Sequence, residues 1–139
     1  MARATLTKEL HFEIGNETGI LGQITATLAL AEVYIIHMSA YEVRNKGYFQ
    51  IITRDNKKAR EVLKHLAPKA VERDVVVVEF ENKVGTLAPV ARLLGSNNIG
   101  VHYVYGTSGD GFKIVGVFST DNNAKAAEII NKDSGSLTV

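Results

Sequence analysis

Four histidines and one pair of alternate carboxylates are the groups in this chain best equipped for catalysis, and their spacing argues against it. His11, His37, His65 and His102 are scattered, with no i,i+4 pair to grip a metal from one helix face. Glu79 and Glu81 lie two apart and so share one face of a strand, with Phe80 pointing the other way; with lysine neighbours they read as a solvated edge rather than an acid–base pair. The chain has no cysteine, which removes a thiolate nucleophile, a disulfide framework and a sulfur-ligated metal or cluster. No serine sits in a nucleophile elbow. The turn Ser108-Gly109-Asp110-Gly111 lacks the Gly-Lys-Ser and the following helix of a phosphate loop. The expectation is a protein with no catalytic residues, no metal site and no cofactor, and not an enzyme.

The bulk composition narrows the partners. Of 139 residues, 45% are apolar and 22% charged, an ordinary globular balance. Sixteen basic residues against fifteen acidic ones leave a formal charge of +1, so no field is present to hold a phosphate backbone. Tyr103 and Tyr105 alternate as a base-stacking strand would. The basic residues Arg54, Lys57, Lys58, Arg60 and Lys64 gather elsewhere, however, mixed with Asp55 and Glu61 on a solvated helix. No nucleic-acid partner is expected. The opening MARATLTKEL has no apolar signal core and no apolar run is long enough to span a bilayer, so a cytoplasmic protein without membrane contact is the default.

The elements that would position any site are written twice. Phe12 to Ile35 aligns with Val78 to Val101 at an offset of 66 residues, pairing Asn16 with Asn82, Gly19 with Gly85, Leu21 with Leu87 and Leu28 with Leu94. Thr7 to Ile14 alternates as a strand. From Gly19 the apolar spacing turns helical through Ile20, Leu21, Ile24, Leu28 and Ala31. Val33 to Val43 returns to strand, Asn45-Lys46-Gly47 makes a tight hairpin with Gly47 as the residue at positive φ, and Tyr48 to Thr53 is the returning strand. Asp55 or Asn56 then caps a helix to about Leu66. The second copy repeats this with Val75 to Phe80, a helix from Gly85 or Thr86 carrying Pro89 in its first turn, Ile99 to Tyr105, Phe112 to Phe118, and a helix over Ala124 to Asn131. Gly109-Asp110-Gly111 answers the first hairpin, and Ser136 to Val139 can add a short last strand.

This order predicts an α+β protein of two tandem ferredoxin-like βαββαβ units, residues 1–72 and 73–139. The two are expected to pack as one body, because the link Val71 to Phe80 reads as strand and not as a Gly/Ser/Pro tether. Strands apolar on both sides, such as Val75 to Val78, need cover on both faces, which points to a homodimer.

A strand, then Asn-x-x-Gly-x-Leu opening a helix, then strand, glycine hairpin, strand and helix resembles the ACT domain; the motif stands here as NETGIL at 16–21 and NKVGTL at 82–87. Two ACT-type units with no catalytic domain resemble the stand-alone tandem ACT proteins of prokaryotes. That resemblance implies a regulatory protein with a free amino acid as effector, held between units against the first strand-to-helix loops, and a metabolic enzyme or regulator as partner. It places the ligand at Asn16, Glu17, Thr18, Gly19, Ile20 and Leu21 in copy one and at Asn82, Lys83, Val84, Gly85, Thr86 and Leu87 in copy two. Ile36, Met38 and Ser39 would complete the first site; His102, Tyr103, Val104 and Tyr105 would complete the second. Free N–H groups at a helix start suit a carboxylate, and a glycine lets it approach. Glu17 is answered by Lys83, so the two loops should differ in charge preference. The competing reading is a structural or protein-interaction regulatory module that retains no ligand.

Overall fold

A computed structural model describes residues 2–108 and 111–133. Its elements run β1 (Arg3–Gly15), α1 (Ile20–Leu30), β2 (Ile35–Val43), β3 (Lys46–Thr53), α2 (Asn56–Val62), β4 (Val71–Glu81), α3 (Leu87–Ser96), β5 (Val101–Ser108), β6 (Lys113–Thr120) and α4 (Asn123–Asp133). The chain forms two compact units, one of Lys8–Arg73 and one of Met1–Thr7 with Asp74–Val139. The architecture is α+β, with two ferredoxin-like units. The last strand expected at Ser136 to Val139 lies outside the described residues.

In the unit of Lys8–Arg73, β3 pairs antiparallel with β1 on one side and β2 on the other. One sheet face carries Leu10, Phe12, Phe49 and Ile51, which bury against Ile24 and Leu28 of α1 and Ala59 of α2. In the second unit, β6 pairs antiparallel with β4 and β5. Its core joins Val76, Val78, Phe80 and Phe118 to Val90, Leu94, Ala126 and Ile130. Ala2 and Ala4 bury in this second core. The Asn131 amide clamps Ala4 there, accepting from its N–H and donating to its carbonyl, both at 2.8 Å. β1 thus begins well before the Thr7 expected from alternation, since small alanines mask the core-facing period.

Local chemistry repeats between the units. Gly19 and Gly85 take φ of 91° and 84° where strand passes to helix. α1 and α3 both end on a left-handed residue, Glu32 and Asn98, followed by an N–H that reaches back: Val33 to Leu28 and Ile99 to Leu94, each 2.9 Å. Asp55 caps α2 by accepting from the Lys58 N–H, and Asn122 does the same for Lys125 ahead of α4. Asn56 and Asn123 each accept from the backbone and hydroxyl of the preceding threonine (Thr53, Thr120) and donate to a strand carbonyl, Lys8 or Asp74. α2 stops at Val62, and a turn carries the chain on to Leu66.

The first hairpin corrects one expectation. Arg44 (φ 51°) and Asn45 (φ 64°) form the turn, while Gly47 belongs to β3. Two central residues at positive φ match the right-handed strand twist, and asparagine tolerates that region without a glycine. Asn16 N–H bonds the Asn45 carbonyl where Asn82 N–H bonds that of Phe112, so Gly111 (φ 81°) answers Arg44 rather than Gly47. Gly109 and Asp110 of the second turn lie outside the described residues.

Candidate functional site

The two strand-to-helix loops are built alike and differ in what remains open. In copy one, the Asn16 side-chain amide donates to the Glu42 carboxylate and its backbone N–H to Asn45, which ties the loop to the hairpin. Ile20 N–H returns to the Glu17 carbonyl at 3.1 Å. Thr18 and Leu21 are exposed; Ile20 packs on the edge of the core.

In copy two, Asn82 donates through its amide to the Gly111 carbonyl at 3.0 Å. Lys83 pairs with Glu81 at 2.6 Å. That hydrogen bond is the first cause holding the Glu81 carboxyl below its ordinary range, and it raises the Lys83 ammonium. Both groups are exposed, so the pair is a rim feature. Thr86 Oγ1 donates to the Lys83 carbonyl at 3.2 Å. Among the described residues, the backbone N–H groups of Val84, Gly85 and Thr86 have no backbone acceptor. The Val84 side chain is fully exposed, and Leu87, the first residue of α3, is 47% exposed.

Beside Leu87 the second unit is hollow. A cavity of about 540 Å³ lies over β5 and β6, lined by Phe80, Leu87, Val104, Tyr105, Gly106, Thr107 and the segment 114–116. That volume falls within the range of small-molecule sites, about 300–1,000 Å³. Its floor is a glycine pair, since Gly106 and Gly116 stand opposite each other in the ladder. A Cβ on Gly106 would meet the Val115 carbonyl at 2.8 Å. One on Gly116 would meet the rings of Phe118 and Phe80 at 3.0 and 3.2 Å. The backbone approach therefore requires glycine at 106, while a side chain at 116 would have to push the two rings aside.

Of the copy-two residues singled out from sequence, Leu87, Val104 and Tyr105 line this cavity, and Val84, Gly85 and Thr86 form the loop leading into it. Tyr103 stacks on Tyr105, ring centres 6.3 Å apart, and supports that wall. Asn82 and Lys83 are engaged in bonds to the chain itself. Phe80, Gly106, Thr107 and Ile114–Gly116 were missed. The available signal was a glycine inside each of two otherwise β-branched and aromatic strands, HYVYGTS and KIVGVFST. Among the described residues, no group of three His, Asp or Glu side chains could hold a metal ion, and no helix is long and apolar enough to cross a membrane.

No curated protein matches the chain. Among solved structures it is similar to protein BT0572 from Bacteroides thetaiotaomicron, with 26% identity over 94% of this chain and 90% of that one, and a TM-score of 0.85. It shares its fold with the ligand-free regulatory subunit of aspartate kinase from Thermus thermophilus (13% identity, 95% and 96% covered, TM-score 0.69). It also shares it with the aspartate kinase of Clostridium acetobutylicum (11% identity, 99% of this chain but 34% of that one, TM-score 0.65). Residues 5–137 match the family model described as an ACT domain pair, so the chain belongs to the ACT domain pair family, whose units are regulatory, ligand-sensing modules rather than catalysts.

Proposed function

We propose that this protein is an amino-acid sensor whose ligand enters the second unit, with its side chain over Gly106 and Gly116 and its carboxylate at the loop of Val84 to Thr86. One observation carries the reading: the glycine-floored cavity opens beside the start of α3. Its walls are chiefly apolar, through Phe80, Leu87, Val104 and Ile114, which favours a branched or aromatic side chain. N–H groups without a backbone acceptor at the loop supply partners for a carboxylate.

Regulation follows by linkage: a ligand favours the arrangement that closes around it. Leu87, Val104 and Val101 are exposed around the same edge, and Phe112 stands out on the following turn. We read that edge as the surface a second copy, or a regulated enzyme, covers when the ligand is present. The competing reading, a partner-docking module without ligand, draws on those same exposed residues.

A thermal-shift panel of the twenty amino acids tests the proposal, run on the wild type and on Val104→Trp, whose indole fills the mouth from an exposed position. The sensor reading expects a raised midpoint with a branched or aromatic amino acid, absent in the variant. No rise with any of them at millimolar concentration favours the docking module.

A further inference from the structure

The first unit has a cavity of its own on the opposite sheet face, and its chemistry is polar. About 490 Å³ in volume, it is lined by the segments 11–13 of β1 and 48–50 of β3, which include Phe12 and Phe49, and by Lys69, Val71 and Arg73 at its exposed rim. Cross-strand register sets His11 against Gln50 and Glu13 against Tyr48, all on the side away from Leu10, Phe12, Phe49 and Ile51.

Gln50 decides the reading. The residue is 5% exposed, and its amide makes no hydrogen bond among the described residues. Among the described residues, no fully enclosed side-chain nitrogen or oxygen lacks a partner, so the Gln50 amide must reach the cavity space itself. In the second unit the equivalent cross-strand pair is Val77 with Val117. The fold therefore accepts valine where Gln50 stands, so an amide there with no protein partner and an opening to the cavity is placed to meet whatever occupies that space.

The charges around it are lopsided. The acids have partners: Glu9, wholly buried, meets His11 Nε2 at 2.7 Å, and Glu13 meets Lys46 at 3.3 Å. The side chains of Lys69 and Arg73 are in no ion pair or hydrogen bond among the described residues. Two unengaged cations, a buried amide and the Tyr48 phenol, braced by its stack on Tyr41, line one small space. We infer that this cavity binds a small oxyanion, a carboxylate or phosphate group of a metabolite, with Arg73 and Lys69 neutralising it and the Gln50 amide donating to it. Arginine and lysine on one anion give charge-assisted bonds that a water-filled crevice would not need.

Titration calorimetry of the full chain with succinate and, separately, inorganic phosphate tests this. The expected result is saturable binding of one of them, weakened about tenfold or more in Arg73→Ala and in Lys69→Ala. In Gln50→Val binding is lost while the thermal midpoint holds or rises. Saturation by succinate assigns a carboxylate and saturation by phosphate a phosphate ester, and either upholds the site. Neither ligand saturating, or binding unchanged in Arg73→Ala with the midpoint intact, overturns it. Val104→Trp, which fills the other cavity, should leave the anion isotherm unchanged, so the two sites stand or fall separately.

Discussion

The same three-strand row is full in one unit and empty in the other. Across β1, β3 and β2 it reads Phe12, Phe49 and Ala40, and the rings of the two buried phenylalanines stack at 5.0 Å. Across β4, β6 and β5 the row reads Val78, Gly116 and Gly106. On the reverse face the contrast inverts, with His11 and Gln50 in the first unit and Val77 and Val117 in the second. A duplicated scaffold keeps its helix caps and the glycine at each strand-to-helix turn and changes what its sheet faces hold. The apolar hollow and the polar hollow thus arise on opposite faces of equivalent sheets.

The largest effect should come from emptying the full row. Phe49→Ala removes a stacked, buried ring and should cost about 3–5 kcal/mol, read by denaturant unfolding. A cost below about 1 kcal/mol would mean that the ring is not the packing element the comparison makes it. Next come the features the copies share. Asn56→Ala and Asn123→Ala each break a threonine–asparagine–strand network, so each should cost about 1–3 kcal/mol, and the two values should agree closely. Unequal losses would show that the caps have diverged as the sheet faces have. Gln50→Val, which writes the second unit's residue into the first, should stabilise by about 1 kcal/mol. A destabilisation would show that the amide has a structural partner.

The smallest effect is a pH dependence. Burial lowers the pKa of His37, and the nearby Glu9 charge opposes this in part. The unfolded chain then binds the proton at higher pH than the folded one. Stability from this group is present above the unfolded value near 6.5 and is lost as pH falls through the window below it. Melts from pH 7.5 down to 5 (about the range over which histidine titrates) should show this slope flattened in His37→Phe.

The element order was legible because its periods occur twice and because the punctuation is chemical: glycine at the strand-to-helix turn, Pro89 in a first helical turn, Asp or Asn before the second helix. The start of β1 was hidden because Ala2 and Ala4 are too small to signal a core strand. Gly47 drew attention as the hairpin residue, while twist placed the positive φ on Arg44 and Asn45. The cavity of the second unit was half legible. Leu87, Val104 and Tyr105 follow from the loop and the next strand, but Gly106 and Gly116 mark a site by lacking side chains, and their meaning depends on a register that brings them opposite each other. Gln50 was invisible for a related reason: one polar residue in a β-branched strand reads as solvent-facing until the sheet shows it buried.

The central claim is that the amino acid enters the hollow of the second unit and not its filled counterpart. Methyl-resolved NMR of the full chain, titrated with branched and aromatic amino acids, tests it most directly. The account predicts saturable shifts at Leu87, Val104, Ile114 and Val115, with Leu21, Ile36 and Met38 unmoved. Shifts confined to Leu21, Ile36 and Met38, or no saturable shift at any methyl, would contradict it.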